Sequence, residues 1–210
     1  MKSINKWYDS IWNPFSGVPI DGNKGKMNTS VKGWFNELEL DDEKLTYPSL
    51  MERANRILIN PTIDLLDYHM GSKKNLDLLN RIVNVIRDNS HLKFMIVSYW
   101  VDTSILKLIE WPNNLIIVAQ VFDEEDKRNL EFLYCIDFPG QCYVLFEDCV
   151  PNLGFVSLET IDEVIINLNS NTPLNHWDLN WISSMLSQAI ADGCGFSLEF
   201  EPKSEKGELS

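Results

Sequence analysis

Two unbroken apolar runs, FMIV at 94–97 and LIIVA at 115–119, limit the folds open to the chain. Each has the length of a strand and falls far short of the ~18 apolar residues that cross a bilayer. Neither leaves a polar side for water, so both predict buried strands. A chain of 210 residues, 44% of them hydrophobic, has the means to bury them in one core. Aromatic and β-branched neighbours extend the predicted strands over 94–101 and 115–122.

Upstream the period is that of a helix. Leu76, Leu79, Ile82, Val83 and Ile86 form a stripe at 3.6 spacing, with Ser72 placed to cap it and Asp88-Asn89-Ser90 to close it. A helix is also predicted from Pro48, with Leu50, Ala54, Ile57 and Leu58 on one face and Asn60-Pro61 as its stop. Residues 104–111 predict a short helix before Pro112. Segments 131–137 and 142–148 flank Phe138-Pro139-Gly140-Gln141, which predicts a hairpin, and 153–158 predicts a further strand. Thr160-x-x-Glu163 matches a capping box and predicts a helix through Ile166. Thr172-Pro173 opens the last helix, with Trp177, Trp181, Met185, Ala189 and Ile190 along one face and Gly193 and Gly195 ending it. A final strand is predicted over 196–200.

This order predicts an α+β fold, with a mixed or mostly antiparallel sheet of roughly five strands and helices packed on it. Residues 1–47, rich in turn-formers and anchored by Trp7, Trp12, Phe15 and Trp34, predict an irregular N-terminal segment. Residues 48–201 predict a single α+β domain, and 202–210 (PKSEKGELS) a disordered tail. The opening stretch MKSINKWYDSIWNPFSG has no apolar run beside a cleavage site, which predicts a soluble, cytoplasmic protein without a signal peptide.

Charge is distributed unevenly. Residues 1–105 hold 13 Lys/Arg and 13 Asp/Glu, a balance of zero, while 106–210 hold 5 Lys/Arg against 18 Asp/Glu, which is the whole net charge of −13. From Asn129 to Pro202 there is no Lys or Arg, although 11 acids occur. Such a window disfavours direct contact with nucleic acid or with an anionic membrane, both of which need Lys and Arg. A solvated acidic face accounts for the net charge. The missing bases point further, to a basic partner that relieves the self-repulsion of the acids.

Catalytic signals are sparse. His69, His91 and His176 show no metal-pair spacing, and the closest cysteines lie seven residues apart, so no metal site and no cofactor is predicted. Asp192-Gly193-Cys194-Gly195-Phe196 is the most enzyme-like fragment, with Cys194 as nucleophile and His176 as base. A helix C-terminus and nearby carboxylates both disfavour a thiolate there, so the glycines read more simply as a helix stop.

Size, acidity and aromatics set among carboxylates give the chain a resemblance to the immunity proteins of bacterial polymorphic and contact-dependent toxin systems. The acidic segment 137–148 and the acids at Glu159 and Asp178 carry it. The resemblance implies a non-enzymatic inhibitor that occupies the cationic substrate-binding surface of a nuclease toxin. The implied partner surface comprises Asp123, Glu124, Glu125, Asp126, Glu147, Asp148, Glu159, Asp162, Glu163 and Asp178, with Trp177 and Trp181 as anchors. The alternatives are a DNA-mimicking inhibitor of a host enzyme, and a small hydrolase or transferase using Cys194 or paired carboxylates.

Overall fold

Among the described residues seven strands join one sheet, and every neighbouring pair runs parallel. The computed structural model describes residues 7–16, 38–51, 54–60, 63–99, 103–134, 137–147, 156–169 and 179–201. The strands are β1 (Ser10–Trp12), β2 (Arg56–Ile59), β3 (Lys93–Ser98), β4 (Leu115–Val121), β5 (Gln141–Glu147), β6 (Glu163–Asn169) and β7 (Gly195–Glu201). The helices are α1 (Lys73–Asp88), α2 (Thr103–Leu108), α3 (Arg128–Tyr134) and α4 (Leu179–Asp192). Strand order in the sheet is the order in the sequence. Crossovers of one hand that always step the same way place their helices on one face of the sheet.

The architecture is therefore α/β, and the expected mixed or antiparallel sheet of roughly five strands is wrong on both counts. The apolar runs at 94–97 and 115–119 are unbroken because those strands are covered on both faces, the usual condition of parallel sheets. Alternate residues of each strand divide between two clusters. Ile57, Phe94, Ile96, Leu115, Ile117, Cys142, Val144, Phe146, Val164 and Ile166 face the helices. Leu58, Met95, Val97, Ile116, Val118, Tyr143, Leu145 and Ile165 face the other way, where Trp7 packs on them.

Several local expectations fail for the same reason. The helix expected from Pro48 is a 3₁₀ turn at Lys44–Leu50 followed by β2, so Ile57 and Leu58 lie on opposite faces of a strand. The hairpin expected around 138–141 does not form: the segment before it is α3, and β5 pairs with β4 and β6. The capping box at Thr160 gives way to β6, whose Val164-Ile165-Ile166 suits a buried strand better than a helix. The segment expected to be irregular contributes β1 at the sheet edge and buries Trp12 and Phe15 in the helix-side core.

Other signals hold. Ser72 caps α1 by accepting from the Asn75 amide at 3.3 Å, and Leu79, Ile82, Val83 and Ile86 are buried. At the far end of α4, Gly193 has φ +70°; its amide bonds the Ile190 carbonyl, and the Cys194 amide bonds the Ala189 carbonyl at 2.8 Å. That pattern is a Schellman stop, and it needs a residue free to adopt the left-handed region. Among the described residues no helix is long and apolar enough to cross a membrane.

The sheet is curled. Extending the strand register from Arg56 through Lys93 and onward leads to position 159, four residues before the start of β6. Arg56 instead meets Glu163, with Nη2 to Oε2 at 3.2 Å. In a flat sheet four strand steps would separate them by about 19 Å. The contact is possible only across a concave surface, and its offset of four residues over four strands is the stagger of eight-stranded parallel barrels. The chain forms a half-barrel with helices outside.

Candidate functional site

The inside of the half-barrel is layered along the strands. At the N-terminal ends, Arg56 pairs with Glu163 and lies 5.7 Å from the centre of the Tyr143 ring. The Ser197 hydroxyl donates to Glu163 Oε1 at 2.6 Å. Burial, with the Glu163 charge second, pushes the Tyr143 hydroxyl up to about 12. The middle layer is apolar, built from Leu58, Met95, Ile116, Val118, Leu145 and Ile165. At the C-terminal ends the surface turns polar again. Gln120 Nε2 donates to Glu147 Oε2, and Asn167 Nδ2 donates to Glu147 Oε1 at 3.4 Å. All three side chains are buried.

The surroundings of this upper row are held firmly. Asp64 accepts from the Ser98 hydroxyl at 2.9 Å and from the Tyr99 amide at 2.8 Å, which fixes the end of β3. Asn129 on α3 donates to the Tyr99 carbonyl at 2.7 Å. The Tyr99 ring stacks on Phe122, with centroids 6.0 Å apart and planes 4° from parallel. Burial, then the charges of Glu147 and Asp64, raise the Tyr99 hydroxyl well above its ordinary range, so it stays protonated. Ligand sites in parallel sheets lie at the C-terminal strand ends, where the connections leave a crevice.

A second feature lies at the opposite end. The segments leading into β5, β6 and β7 are neighbours because those strands are neighbours. They present exposed Asp137, Glu159, Asp162 and Asp192. Asp162 also has a structural part: its carboxylate accepts from the Cys142 amide at 2.7 Å. Burial, then Asp162, pushes the Cys142 thiol up to about 12. Burial pushes the half-buried Cys194 thiol up to about 11, and Asp162, Glu163 and Asp192 all act on it in the same direction. Burial first, and the carboxylates second, thus keep Cys194 a thiol at neutral pH, which opposes a nucleophilic role.

The partner residues expected from sequence do not form one patch. Glu159 and Asp162 sit at the lower, N-terminal edge, and Glu163 is turned inward to Arg56. The segment 123–126 follows β4 at the opposite end of the strands. There Asp126 accepts from the Phe122 amide and Asp123 from the Glu125 amide, so part of its charge caps a 3₁₀ turn, Glu124–Lys127. Glu147 faces the concave interior and is buried, not part of an outer surface. Trp181 is a core residue, edge-on to Phe146 at 5.1 Å. Asp148, Trp177 and Asp178, with His176, lie outside the described residues. Sequence reasoning passed over Asp137 and Asp192 as contacts, and Gln120 and Asn167 as neighbours of Glu147.

Among the described residues no group of three or more His, Cys, Asp and Glu side chains is placed to hold a metal ion. Comparison with protein-family models, with curated proteins and with solved structures finds no match to the chain.

Proposed function

We propose that the protein is a cytoplasmic, immunity-type binding protein that captures a basic protein partner, a nuclease toxin, by covering its cationic substrate surface. One observation carries this reading. Because strand order equals sequence order, the described residues of the base-free window 129–202 fall in one sector of the molecule, comprising most of α3 with β5, β6, β7 and α4. In most topologies such a window would be scattered among basic neighbours. Here the exposed carboxylates of Asp137, Glu159, Asp162 and Asp192 share the lower edge of that sector.

Like charges held together repel at a cost to folding, and a cationic partner relieves that cost while gaining a faster encounter. The contact surface is accordingly narrower than the sequence expectation. It centres on the segments leading into β5, β6 and β7 and excludes Glu147 and Trp181.

The test is capture from lysate of the source cell, at low and high salt, by the wild-type chain and by the D137K/E159K/D192K variant. None of these three side chains is buried, so the variant keeps its fold. The wild type is expected to capture a basic nuclease, to inhibit it when the two are mixed, and to release it at high salt. Equal capture and inhibition by the triple variant would refute the reading.

A further inference from the structure

The apolar layer of the concave face ends in three polar side chains whose arrangement the fold does not require. Glu147 accepts from Gln120 Nε2 and from Asn167 Nδ2. Those bonds fix how each amide is turned, because the opposite orientation would set a carbonyl oxygen against a carboxylate oxygen. The oxygens Gln120 Oε1 and Asn167 Oδ1 therefore point away from Glu147. Both are buried, and neither accepts a hydrogen bond among the described residues. Gln120 is 3% exposed and Asn167 5%, so bulk water does not serve them. A buried acceptor without a donor costs about 1–3 kcal/mol, and two flank Glu147 here, one on β4 and one on β6.

The row combines surplus acceptors with a carboxylate, at the end of a parallel sheet where ligands bind. The Tyr99–Phe122 stack borders it, and an aromatic border suits a cation. We propose that the C-terminal rim of the concave face, built from Gln120, Glu147 and Asn167, binds a small ligand through an ammonium or guanidinium group. Such a group brings only donors, which the two carbonyl oxygens lack, and the charge opposite to that of Glu147. A carboxylate or phosphate ligand would place acceptor against acceptor. This site is separate from the partner surface, which lies at the other end of the strands.

The test is titration of the full chain with agmatine and with n-butylammonium, followed on the side-chain amide resonances of Gln120 and Asn167. Butyrate serves as the anionic control and n-butanol as the neutral one. Saturable shifts are expected with the two cations and with neither control. Affinity is expected to fall at least about tenfold in Glu147→Gln, since a charge-assisted bond is lost. Asn167→Leu keeps the carboxylate and removes one acceptor, so it provides a second folded variant that also binds more weakly. D137K/E159K/D192K is expected to bind the cations as the wild type does, which separates this site from the partner surface. The proposal is overturned if neither cation gives a saturable shift, the rim then holding ordered water alone. Butyrate or n-butanol binding as tightly as the cations would also overturn it, as would unchanged affinity in folded Glu147→Gln and Asn167→Leu.

Discussion

The two ends of the concave face each hold a carboxylate, and they treat it differently. At the lower end Glu163 meets Arg56 from four strands away and takes a hydroxyl from Ser197. Its charge and its lone pairs are met by groups of the chain, and the bridge ties β2 to β6. At the upper end Glu147 meets two amides, each of which turns a buried oxygen without a donor away from it. The lower carboxylate closes the half-barrel, whereas the upper one is built into a surface that asks for donors. The contrast follows the general division of parallel barrels, where the N-terminal face carries stability and the C-terminal face carries ligands.

Changes at the lower end should therefore cost stability. The largest loss is expected from Gly140→Ala, which leads into β5. A methyl group there would lie 2.0 Å from the Leu115 carbonyl oxygen, backbone against side chain, so β4 and β5 would have to part. A loss of about 3–5 kcal/mol is expected from denaturant unfolding. Asn114, at the foot of β4, comes next. Its amide donates to the carbonyls of Ile86, Asn89 and Leu92 at 2.8, 3.2 and 3.0 Å, which joins the end of α1 to the start of β3. Asn114→Ala leaves those carbonyls with water or nothing, and should cost about 2 kcal/mol by the same measurement. Arg56→Met removes the partner of Glu163. Because Arg56 is partly exposed, the expected loss is smaller, about 1–2 kcal/mol.

The smallest effect concerns pH. Cys142 and Cys194, both at the lower end, have thiols raised to about 12 and about 11 from an ordinary 9.0. The folded protein holds these protons more tightly than the unfolded chain does. Their contribution is complete below pH 9 and declines as the unfolded thiols ionise, until the folded thiols ionise too. Stability should fall by on the order of 1 kcal/mol between pH 9 and pH 10, mostly through Cys142, because solvent screens the half-buried Cys194. Denaturation midpoints at rising pH should show a shallower decline in Cys142→Ala than in the wild type.

Parts of this contrast were legible in the residues. Ser72 and the stripe from Leu76 to Ile86 announced α1, and the runs at 94–97 and 115–119 announced β3 and β4, because local periodicity decides those elements. The pairing was not legible. A Pro-Gly turn at 139–140 looks the same whether it joins antiparallel neighbours or leads from α3 into a parallel strand, and parallel pairing is set by distant partners. The unbroken apolar runs did hint at two covered faces. The site carried a subtler sign. With a period of two, Tyr143, Leu145 and Glu147 share one face, and Gln120 and Asn167 likewise stand near the C-terminal ends of apolar strands. Three polar residues at matching strand ends become one row only once the strands are known to be adjacent and parallel. The same knowledge converts the base-free stretch of sequence into a sector of the molecule.

The claim that the upper row serves binding and the lower pair serves the fold is tested most directly by replacing the row. In Q120M/E147M/N167L each polar side chain becomes apolar at similar volume. Exchanging a buried charged network for packed hydrophobic residues is commonly neutral or stabilising. The denaturation midpoint of this variant is predicted to equal or exceed that of the wild type, while the shifts caused by agmatine disappear. A midpoint lowered as far as in Arg56→Met would show that the row holds the sheet together, and would contradict the account.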